Sequence, residues 1–463
     1  MSKKAIHFQV SERKLLLRGF DLLMVLLGLY VLGLFFEKEF LEISWNNRTA
    51  VLILLFYIAV FGTVFELYDL QKSSRLDVTF RNVVFAVSTA AILYFLTPIL
   101  TPFLPDKRHQ IVYFYLTIIF SIFAWRTAYT KLIASPRFYK KVLLVGEVAH
   151  LDDFVKGLVQ ADPNYKIVGF INCHGPKENA QKSRTIQEYP PHALMQVIKA
   201  QSISEVVVAS YDSETITTEI YNDLMLLLER GFTIREYTQV YEEITYRVPL
   251  QFIGKDFYKY FPFSRSNQNT LYLFFNRLFD ILFSVFGLFC GLLMLPFILV
   301  GNLCGNKGPL FYRQERVGKN GKVFKIIKLR TMIVNAEANG AKWAEFNDSR
   351  ITKFGRFLRR SRIDEIPQFI NILKGDMSVI GPRPERPCFI NELSQSIPFY
   401  ETRHIVKPGL TGWAQVKTRY GASVDESHVK LQYDLFYIKH RSFFLDLNIM
   451  VKTLSTVLYY RGQ

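Results

Sequence analysis

Two adjacent carboxylates, Asp364 and Glu365, follow a group of three arginines and precede a proline. The arginines are Arg359, Arg360 and Arg362. Nearby cations favour an ionised carboxylate, so this setting predicts a lowered pKa for the aspartate. An ionised aspartate can attack phosphorus, and a neighbouring carboxylate can bind Mg²⁺ on a diphosphate. The pair could instead be an aspartate N-cap followed by a helix-start glutamate.

The same stretch predicts how the backbone runs around the two carboxylates. Proline is tolerated in the first turn of a helix, which favours a helix that contains Pro367 in that turn and starts near Asp364. A preceding helix would end at the pair. Free N–H groups and the helix dipole attract anions to a helix start. A phosphate is therefore expected where the carboxylates lie.

Cations on both sides of the pair are candidate phosphate ligands. Before it, the stretch "GPLFYRQERVGKNGKVFKIIKLRTM" (308–332) contains several of them, and they are Arg313, Arg316, Lys328 and Arg330. Such a run is also typical of a solvated surface or one that binds lipid headgroups. After the pair, two prolines flank Arg383 and fix the backbone there. Its guanidinium could clamp a phosphate or a nucleotide.

The composition limits the kinds of partner. The chain has 463 residues, of which 50% are hydrophobic, and a formal net charge of +17. An excess of this size indicates acidic partners such as nucleic acid, anionic lipid or phosphate-bearing substrates. The apolar content favours the last two. Because the cations lie beside membrane segments and no recognition motif is present, no nucleic-acid partner is expected.

Four apolar stretches in the first part of the chain are each long enough to cross about 30 Å of hydrocarbon as a helix. They lie at about 15–36, 50–68, 82–104 and 111–133. Lysines and arginines precede the first, follow the second and follow the fourth, whereas glutamates follow the first. By the positive-inside rule, both ends of this unit are cytoplasmic. The sequence thus predicts a four-helix transmembrane domain over residues 1–137.

A fifth apolar run, residues 281–300, raises a question of sidedness. If it crossed the bilayer, the basic region after residue 305 would lie outside the cell. Pro296 removes a backbone hydrogen bond within this run and is expected to kink it. We therefore predict a re-entrant helix over about 277–301 that breaks at Pro296 and returns to the cytoplasmic face. A fifth true span is the alternative.

Between the two apolar regions, residues 138–250 have the pattern of a Rossmann-like α/β domain. Short apolar segments that predict buried parallel strands alternate with helical patterns. These segments are 140–146, 166–172, 205–210 and 232–237, whereas 176–192 is predicted to be a loop. Gly146 ends the first strand, but Val148 and Leu151 occupy the next two glycine positions of a dinucleotide fingerprint. We expect a degenerate domain with a structural or dimerising role rather than NAD binding.

Several motifs in order resemble the monotopic phosphoglycosyl transferases. They are "RIDEIPQ" (362–368), "LKGDMSVIGPRPE" (373–385), "KPGLTGWAQV" (407–416) and "YDLFYIKH" (433–440). The chain is particularly similar to the large polyprenyl-phosphate sugar phosphotransferases that start bacterial exopolysaccharide synthesis. The detailed similarity covers about 270–463. It implies a membrane protein whose C-terminal, mainly helical catalytic domain, residues 265–463, contains the re-entrant helix.

The resemblance also implies a mechanism. Asp364 would attack the β-phosphate of a UDP-sugar, UMP would leave, and undecaprenyl phosphate would then accept the sugar phosphate. Glu365 would bind Mg²⁺. Arg359 matches a family position associated with phosphate binding, and Lys328, Arg330 and Arg383 lie in motifs that handle phosphate and nucleotide. Leu295 precedes Pro296 where the family commonly has serine, so a hydroxyl that assists the helix break is missing.

These expectations place the protein in the bacterial inner membrane as a multi-pass protein with its catalytic domain on the cytoplasmic face. Its expected partners are a UDP-sugar, undecaprenyl phosphate and membrane lipids, and a homodimer through the middle domain is plausible. The alternative is a catalytically silent membrane scaffold or regulator of polysaccharide synthesis that binds anionic lipid. The sequence does not separate glucose, galactose and N-acetyl sugars as donors.

Overall fold

The computed structural model divides the chain into two compact units, Met1–Thr245 and Tyr246–Gln463. Apart from a few isolated positions, the described residues are 10–35, 47–68, 76–98, 107–132, 140–146, 165–173, 186–209, 216–250, 269–334, 348–418 and 423–458. Val248 and Leu250 pack in the hydrophobic core of the second unit. The middle domain is predicted to end at residue 250, and its boundaries stay a prediction.

The first unit begins with four apolar helices. They are α1 (Val10–Phe35), α2 (Arg48–Val64), α3 (Leu76–Phe95) and α4 (His109–Leu132). By length and composition α1, α3 and α4 could cross a membrane, whereas α2 has 17 residues and is shorter. Each of the four predicted apolar stretches thus contains most of one helix. The charged segments 36–46 and 133–139, used for the orientation argument, lie outside the described residues.

A buried ion pair joins the first and last of these helices. Arg126 of α4 donates from Nε to Asp21 Oδ1 of α1 across 3.0 Å, and neither side chain is more than 1% exposed. Charged groups in apolar helices need such a partner, because an unpaired charge is costly in hydrocarbon. The pair therefore fixes α1 and α4 as neighbours.

A five-stranded parallel sheet follows in the first unit, as predicted. Its strands, in the order β3-β2-β1-β4-β5, are β1 (Lys140–Gly146), β2 (Tyr165–Asn172), β3 (Glu188–Tyr189), β4 (Glu205–Ala209) and β5 (Thr233–Glu236). The helices are α5 (Leu194–Gln201), α6 (Thr218–Glu229) and α7 (Tyr237–Thr245). The short strand β3 lies where a loop was predicted. Val148 and Leu151, the failed fingerprint positions, are outside the described residues.

The second unit contains one long apolar helix, α8 (Thr270–Gly305), which is long and apolar enough to cross a membrane. Pro296 lies inside it, and the helix continues on both sides of the proline. The helical assignment is thus unbroken at Pro296, where the sequence predicts a break. Proline removes one intrahelical hydrogen bond, and the bonds of the other turns keep the helix continuous. The re-entrant path stays a prediction.

Glycines on α8 allow the rest of the unit to approach it closely on both sides of Pro296. A Cβ at Gly287 would lie 2.3 Å from the Phe369 ring, and a Cβ at Gly301 would lie 2.2 Å from the Phe354 ring. Real Cβ atoms do not approach so closely, so larger residues would push these rings away. Small residues at such positions let helices pack at short distance.

Polar contacts also tie both ends of α8 to the same unit. Near its start, Asp280 Oδ1 accepts from Ser378 Oγ at 2.9 Å and from the Val379 amide at 2.8 Å. Near its end, Asn306 Nδ2 donates to the Arg330 carbonyl at 2.5 Å. The helix is therefore an integral part of this unit rather than an appended anchor.

The remaining part of the second unit is mainly helical, as predicted. Its strands are β6 (Phe311–Val317), β7 (Val323–Leu329), β8 (Ser378–Ile380) and β9 (Gly409–Thr411). Its other α-helices are α9 (Lys353–Ser361), α10 (Gln368–Lys374), α11 (Pro387–Ser396), α12 (Trp413–Lys417), α13 (Val424–His440) and α14 (Phe443–Leu458). β6 and β7 form an antiparallel hairpin, and β8 and β9 pair in parallel. A core around α13 supports these elements.

Candidate active site

The adjacent carboxylates lie on a short 3-10 turn between two helices. Helix α9 ends at Arg362, which adopts a left-handed conformation with φ 60°. The turn Ile363–Glu365 follows, and α10 starts only after Pro367. The prediction that two helices meet at the pair is confirmed. Asp364 is not the N-cap of the second helix, because Pro367 occupies that position.

Glu365 forms ion pairs with three cationic side chains. Its Oε1 lies 3.0 Å from Arg383 Nη2, 3.3 Å from Arg362 Nη1 and 3.7 Å from Lys328 Nζ. Burial disfavours the charged carboxylate, but the three cations outweigh it and hold the pKa of Glu365 below its usual range. Glu365 is therefore an anion at every physiological pH.

Asp364 has the opposite environment although it is the next residue. Its side chain is buried, and its Oδ1 atom has no hydrogen-bond partner among the residues that the structure describes. Burial and the charge of Glu365 raise the pKa of Asp364 to about 6. The predicted lowering of this pKa by arginines is thus wrong: cations near Asp364 oppose the shift without cancelling it, because the closest contacts go to Glu365.

The β6–β7 hairpin brings one predicted cation to the Asp364–Glu365 pair, called the dyad below. It carries another predicted cation on its opposite face. Lys328 on β7 is paired in register with Tyr312, while Arg313 on β6 is paired with Ile327. Successive residues of a strand point to opposite faces, so Arg313 and Lys328 lie on different faces of the hairpin. Lys328 contacts Glu365 and Arg313 is exposed. The prediction of Arg313 as a site residue is therefore not supported by its position.

Two further arginines that were predicted to bind phosphate form hydrogen bonds within the protein. Arg330 donates to the carbonyls of Pro309 at 2.7 Å and Met332 at 2.8 Å and to Asn306 Oδ1 at 3.1 Å. Its guanidinium is thus held by hydrogen bonds near the end of α8, and its role as a substrate ligand stays a prediction. Arg359 donates from Nε to Thr331 Oγ1 at 2.9 Å, and its charge acts on the pKa of Asp364.

The segment that carries Arg383 is held by its carbonyl groups. Four successive carbonyls, Pro382 to Glu385, each accept from a different donor. The donors are the Gly409 amide at 2.9 Å, Arg403 Nη2 at 3.1 Å, Arg316 Nη1 at 3.0 Å and the Val317 amide at 2.9 Å. Proline has no N–H, so carbonyls are the groups through which this segment can be fixed. Arg316, predicted to bind substrate, is one of these anchors.

Glycine makes part of this anchoring possible. A Cβ at Gly381 would lie 2.4 Å from the Lys407 carbonyl oxygen, and one at Gly409 would lie 2.1 Å from the Gly381 amide nitrogen. Any side chain at these positions would separate the two backbones. The glycines of "GPRP" and "KPGLTGW" therefore allow the close approach that holds Arg383 in place.

The dyad supplies few ligands for a metal ion. Within the described ranges, no group of three or more His, Cys, Asp or Glu side chains could hold one. Mg²⁺ commonly uses only one or two carboxylates when phosphates supply further oxygens. Glu365 Oε1 already has three cationic partners, so a metal would need an oxygen that they leave open.

Comparisons with known proteins show the family of this chain. A family model described as "Bacterial sugar transferase" matches residues 271–460. An uncharacterized sugar transferase of Bacillus subtilis, EpsL, is 38% identical over 190 residues, which are 40% of this chain and 88% of that protein. The chain belongs to the bacterial sugar transferase family.

Two other relatives of this chain have names that state a reaction. The UDP-N-acetylgalactosamine-undecaprenyl-phosphate N-acetylgalactosaminephosphotransferase of Aeromonas hydrophila is 44% identical over 192 residues, or 41% of this chain and 45% of that protein. The UDP-glucose:undecaprenyl-phosphate glucose-1-phosphate transferase of Xanthomonas campestris is 44% identical over 164 residues, or 35% of this chain and 34% of that protein. The matched segments span less than half of either relative.

Sequence reasoning missed two buried residues that support the Arg383 segment. Arg403, from the 3-10 turn Tyr400–Ile405, donates to Asp434 Oδ2 on α13 at 2.7 Å and also to the Arg383 carbonyl. The partners are separated by 31 residues. Buried charges are costly unless they are paired. The two residues become neighbours only when the chain folds, so no local pattern in the sequence indicates the pair.

Proposed function

We propose that this sugar transferase moves a sugar 1-phosphate from a UDP-sugar to undecaprenyl phosphate through a covalent intermediate on Asp364. The observation that carries the proposal is the buried, unpartnered carboxylate oxygen of Asp364 beside a Glu365 held by three cations. A nucleophile needs a lone pair that is not engaged in hydrogen bonds. A developing phosphoryl charge needs nearby fixed cations.

In the first half-reaction, the Asp364 carboxylate attacks the β-phosphorus of the donor. The bond between that phosphorus and the oxygen bridging to the α-phosphate breaks, and UMP leaves with the electron pair. In the second half-reaction, a phosphate oxygen of undecaprenyl phosphate attacks the same phosphorus. The carboxylate of Asp364 leaves unchanged, and the product is an undecaprenyl-diphosphate sugar. The scheme predicts ping-pong kinetics.

The raised pKa of Asp364 suits this role. At about 6 it leaves most of the carboxylate ionised at pH 7 while making the anion less stable than one in water. Lys328, Arg362 and Arg383 surround the adjacent glutamate and so lie where the donor diphosphate would bring its charges. Electrostatic positioning of this kind commonly supplies a large part of the rate acceleration in phosphoryl transfer.

Mg²⁺ belongs to the proposal as the ion that would neutralise the donor diphosphate. Glu365 is the protein group that would hold it, together with phosphate oxygens of the donor. Bound Mg²⁺ would polarise the phosphorus–oxygen bond to the leaving UMP. The three cations on Glu365 oppose a tight site in the absence of nucleotide, so we expect metal and donor to bind together.

We also propose that α8 is re-entrant and that the second unit works at the cytoplasmic face of the inner membrane. The support is a pair of hydrogen-bonding contacts within the same compact unit. One is made by Asp280 in the first half of α8 and the other by Asn306 at its end. A helix with one end on each side of a bilayer could not do this if that unit stays on one side. Labelling of a cysteine placed at residue 425 should then occur only from the cytosol.

The relatives' names support the substrates, and the sugar itself is open. The Aeromonas protein is named for N-acetylgalactosamine and the Xanthomonas protein for glucose. A panel of UDP-sugars in detergent or nanodiscs, with UMP release as the readout, would identify the donor. Trapped enzyme should gain the mass of one sugar phosphate, and Asp364→Asn should not. A folded wild-type protein that releases no UMP from any donor would support the silent-scaffold alternative. A homodimer stays a separate proposal.

A further inference from the structure

We propose that Arg403, paired with Asp434, is a positioning residue for the donor half-reaction because it fixes the backbone of Arg383. This inference rests on the proposed function and goes beyond it by giving a role to two buried residues outside the dyad. Neither side chain bonds Asp364 or Glu365 within the part of the chain that the structure describes. Their effect on the reaction would pass through Arg383.

A single nitrogen connects the ion pair to the segment. Arg403 Nη2 donates to Asp434 Oδ2 at 2.7 Å and to the Arg383 carbonyl at 3.1 Å. Nη1 of the same guanidinium donates to Tyr400 Oη at 2.5 Å. Arg403 is 6% exposed and Asp434 is 2% exposed. The guanidinium therefore has one orientation, set by an aspartate on α13 and a tyrosine at the start of its own turn.

The bonded carbonyl belongs to the residue whose side chain reaches the dyad. Arg383 Nη2 donates to Glu365 Oε1 at 3.0 Å. The flanking prolines have fixed φ and no N–H, so a movement of the Arg383 carbonyl is passed on to its Cα and side chain rather than absorbed locally. Misplacement of a reacting group by about 1 Å can cost on the order of 10²-fold in rate.

Asp434 is the part of this arrangement that can be altered most gently. Replacing it with asparagine keeps the size of the side chain and removes the charge that orients Arg403. Residues that orient a ligand-binding group without touching the ligand typically change affinity or activity by about 10- to 100-fold when replaced. A comparable effect is expected here, and it should be confined to the half-reaction that uses Arg383.

The alternative is that the pair only stabilises the core around α13. General destabilisation reduces the amount of active enzyme, so it lowers kcat and leaves both KM values unchanged. Mispositioning of Arg383 should instead raise the KM for the UDP-sugar and leave the KM for undecaprenyl phosphate near its original value. In ping-pong kinetics these two constants are measured separately.

The experiment compares Asp434→Asn and Arg403→Lys with Asp446→Asn in full-length protein in nanodiscs. Asp446 is a matched control, because it is also a buried aspartate and accepts from Tyr437 at 3.0 Å without contacting the Pro382–Glu385 segment. We expect both test variants to raise the donor KM about tenfold or more while the acceptor KM changes less than about twofold. The control should not change the donor KM selectively.

A second measurement does not depend on activity. The amides of Gly409 and Val317 donate to carbonyls of the Pro382–Glu385 segment, so their hydrogen exchange reports its position. Exchange at both amides should be faster in Asp434→Asn than in Asp446→Asn. The inference is overturned if the test variants keep the donor KM and exchange rates of the wild type, or match the control in both. Wild-type protein without UMP release would instead overturn the proposed function. The exchange data would then still test whether Arg403 and Asp434 hold the Pro382–Glu385 segment in place.

Discussion

Asp364 and Glu365 are consecutive residues, and the structure shifts the pKa values of their carboxyl groups in opposite directions. Burial and the charge of Glu365 raise the pKa of Asp364 to about 6, while Arg383, Lys328 and Arg362 hold the pKa of Glu365 below its ordinary range. The cause is positional, because Glu365 receives the direct cationic contacts and Asp364 has an oxygen without any partner. The pair thus divides into a permanent anion and a titratable carboxylate.

The first prediction concerns the pH dependence of the donor half-reaction. The reactive form of Asp364 is the anion, so the rate of UMP release should rise with pH up to about 6 and level off above it. Below that value it should fall about tenfold per pH unit. The rate is measured in single turnovers between pH 5 and 8. A flat profile between pH 5 and 7 would contradict the assignment.

A second prediction links the same group to stability. Because the pKa of Asp364 is raised from 3.8 to about 6 by folding, its ionisation costs stability as pH rises from about 4 to about 6. Asp364→Asn removes that cost and should stabilise the protein at pH 7 by on the order of 2–3 kcal/mol, while abolishing UMP release. Thermal unfolding of both proteins at pH 5 and pH 7 measures this. The advantage of the variant should be smaller at pH 5.

The third prediction uses the two faces of the β6–β7 hairpin. Lys328→Met removes a cation 3.7 Å from Glu365 Oε1 and should lower kcat/KM for the donor about 10²-fold. Arg313→Met removes a cation from the opposite face and should change it less than about threefold. Both are measured as UMP release at saturating acceptor. Equal losses in the two variants would show that net basic charge matters rather than position.

A fourth prediction concerns the close packing of α8. Gly287→Ala would place a Cβ 2.3 Å from the Phe369 ring. Phe369 lies on α10, which directly follows the dyad, so this helix would have to move away from α8. We expect a loss of about 1–3 kcal/mol in stability together with reduced UMP release. Gly19→Ala on α1 is the control, since no atom lies within 4 Å of its added Cβ. Thermal unfolding in the same detergent should show little change for the control.

Local patterns in the sequence were sufficient for some of these features. The strand segments were predicted within one residue for β1, β2, β4 and β5, since short apolar runs between polar segments define buried strands. The pair of helices meeting at Asp364 and Glu365 followed from Pro367. The two-residue strand β3 has no comparable apolar run and was missed.

Features that depend on distant contacts could not be predicted in this way. The sequence places several cations near Asp364, but only the fold decides that Glu365 receives their contacts and that Arg330 donates to the carbonyls of Pro309 and Met332. The same applies to Arg403 and Asp434, whose pairing depends on the position of α13. Charge content is readable from a sequence, whereas the partner of each charge is a property of tertiary structure.

The continuous helix α8 has a practical consequence for anyone who wishes to isolate the chemistry of this protein. Its residues Arg277 and Asp280 bond the backbone that leads to β8, and Asn306 bonds the backbone that follows β7. A truncation made before residue 307 to obtain a water-soluble fragment would remove supports of the very fold it aims to preserve. The lipid-facing and reacting parts of this protein must therefore be purified as one piece.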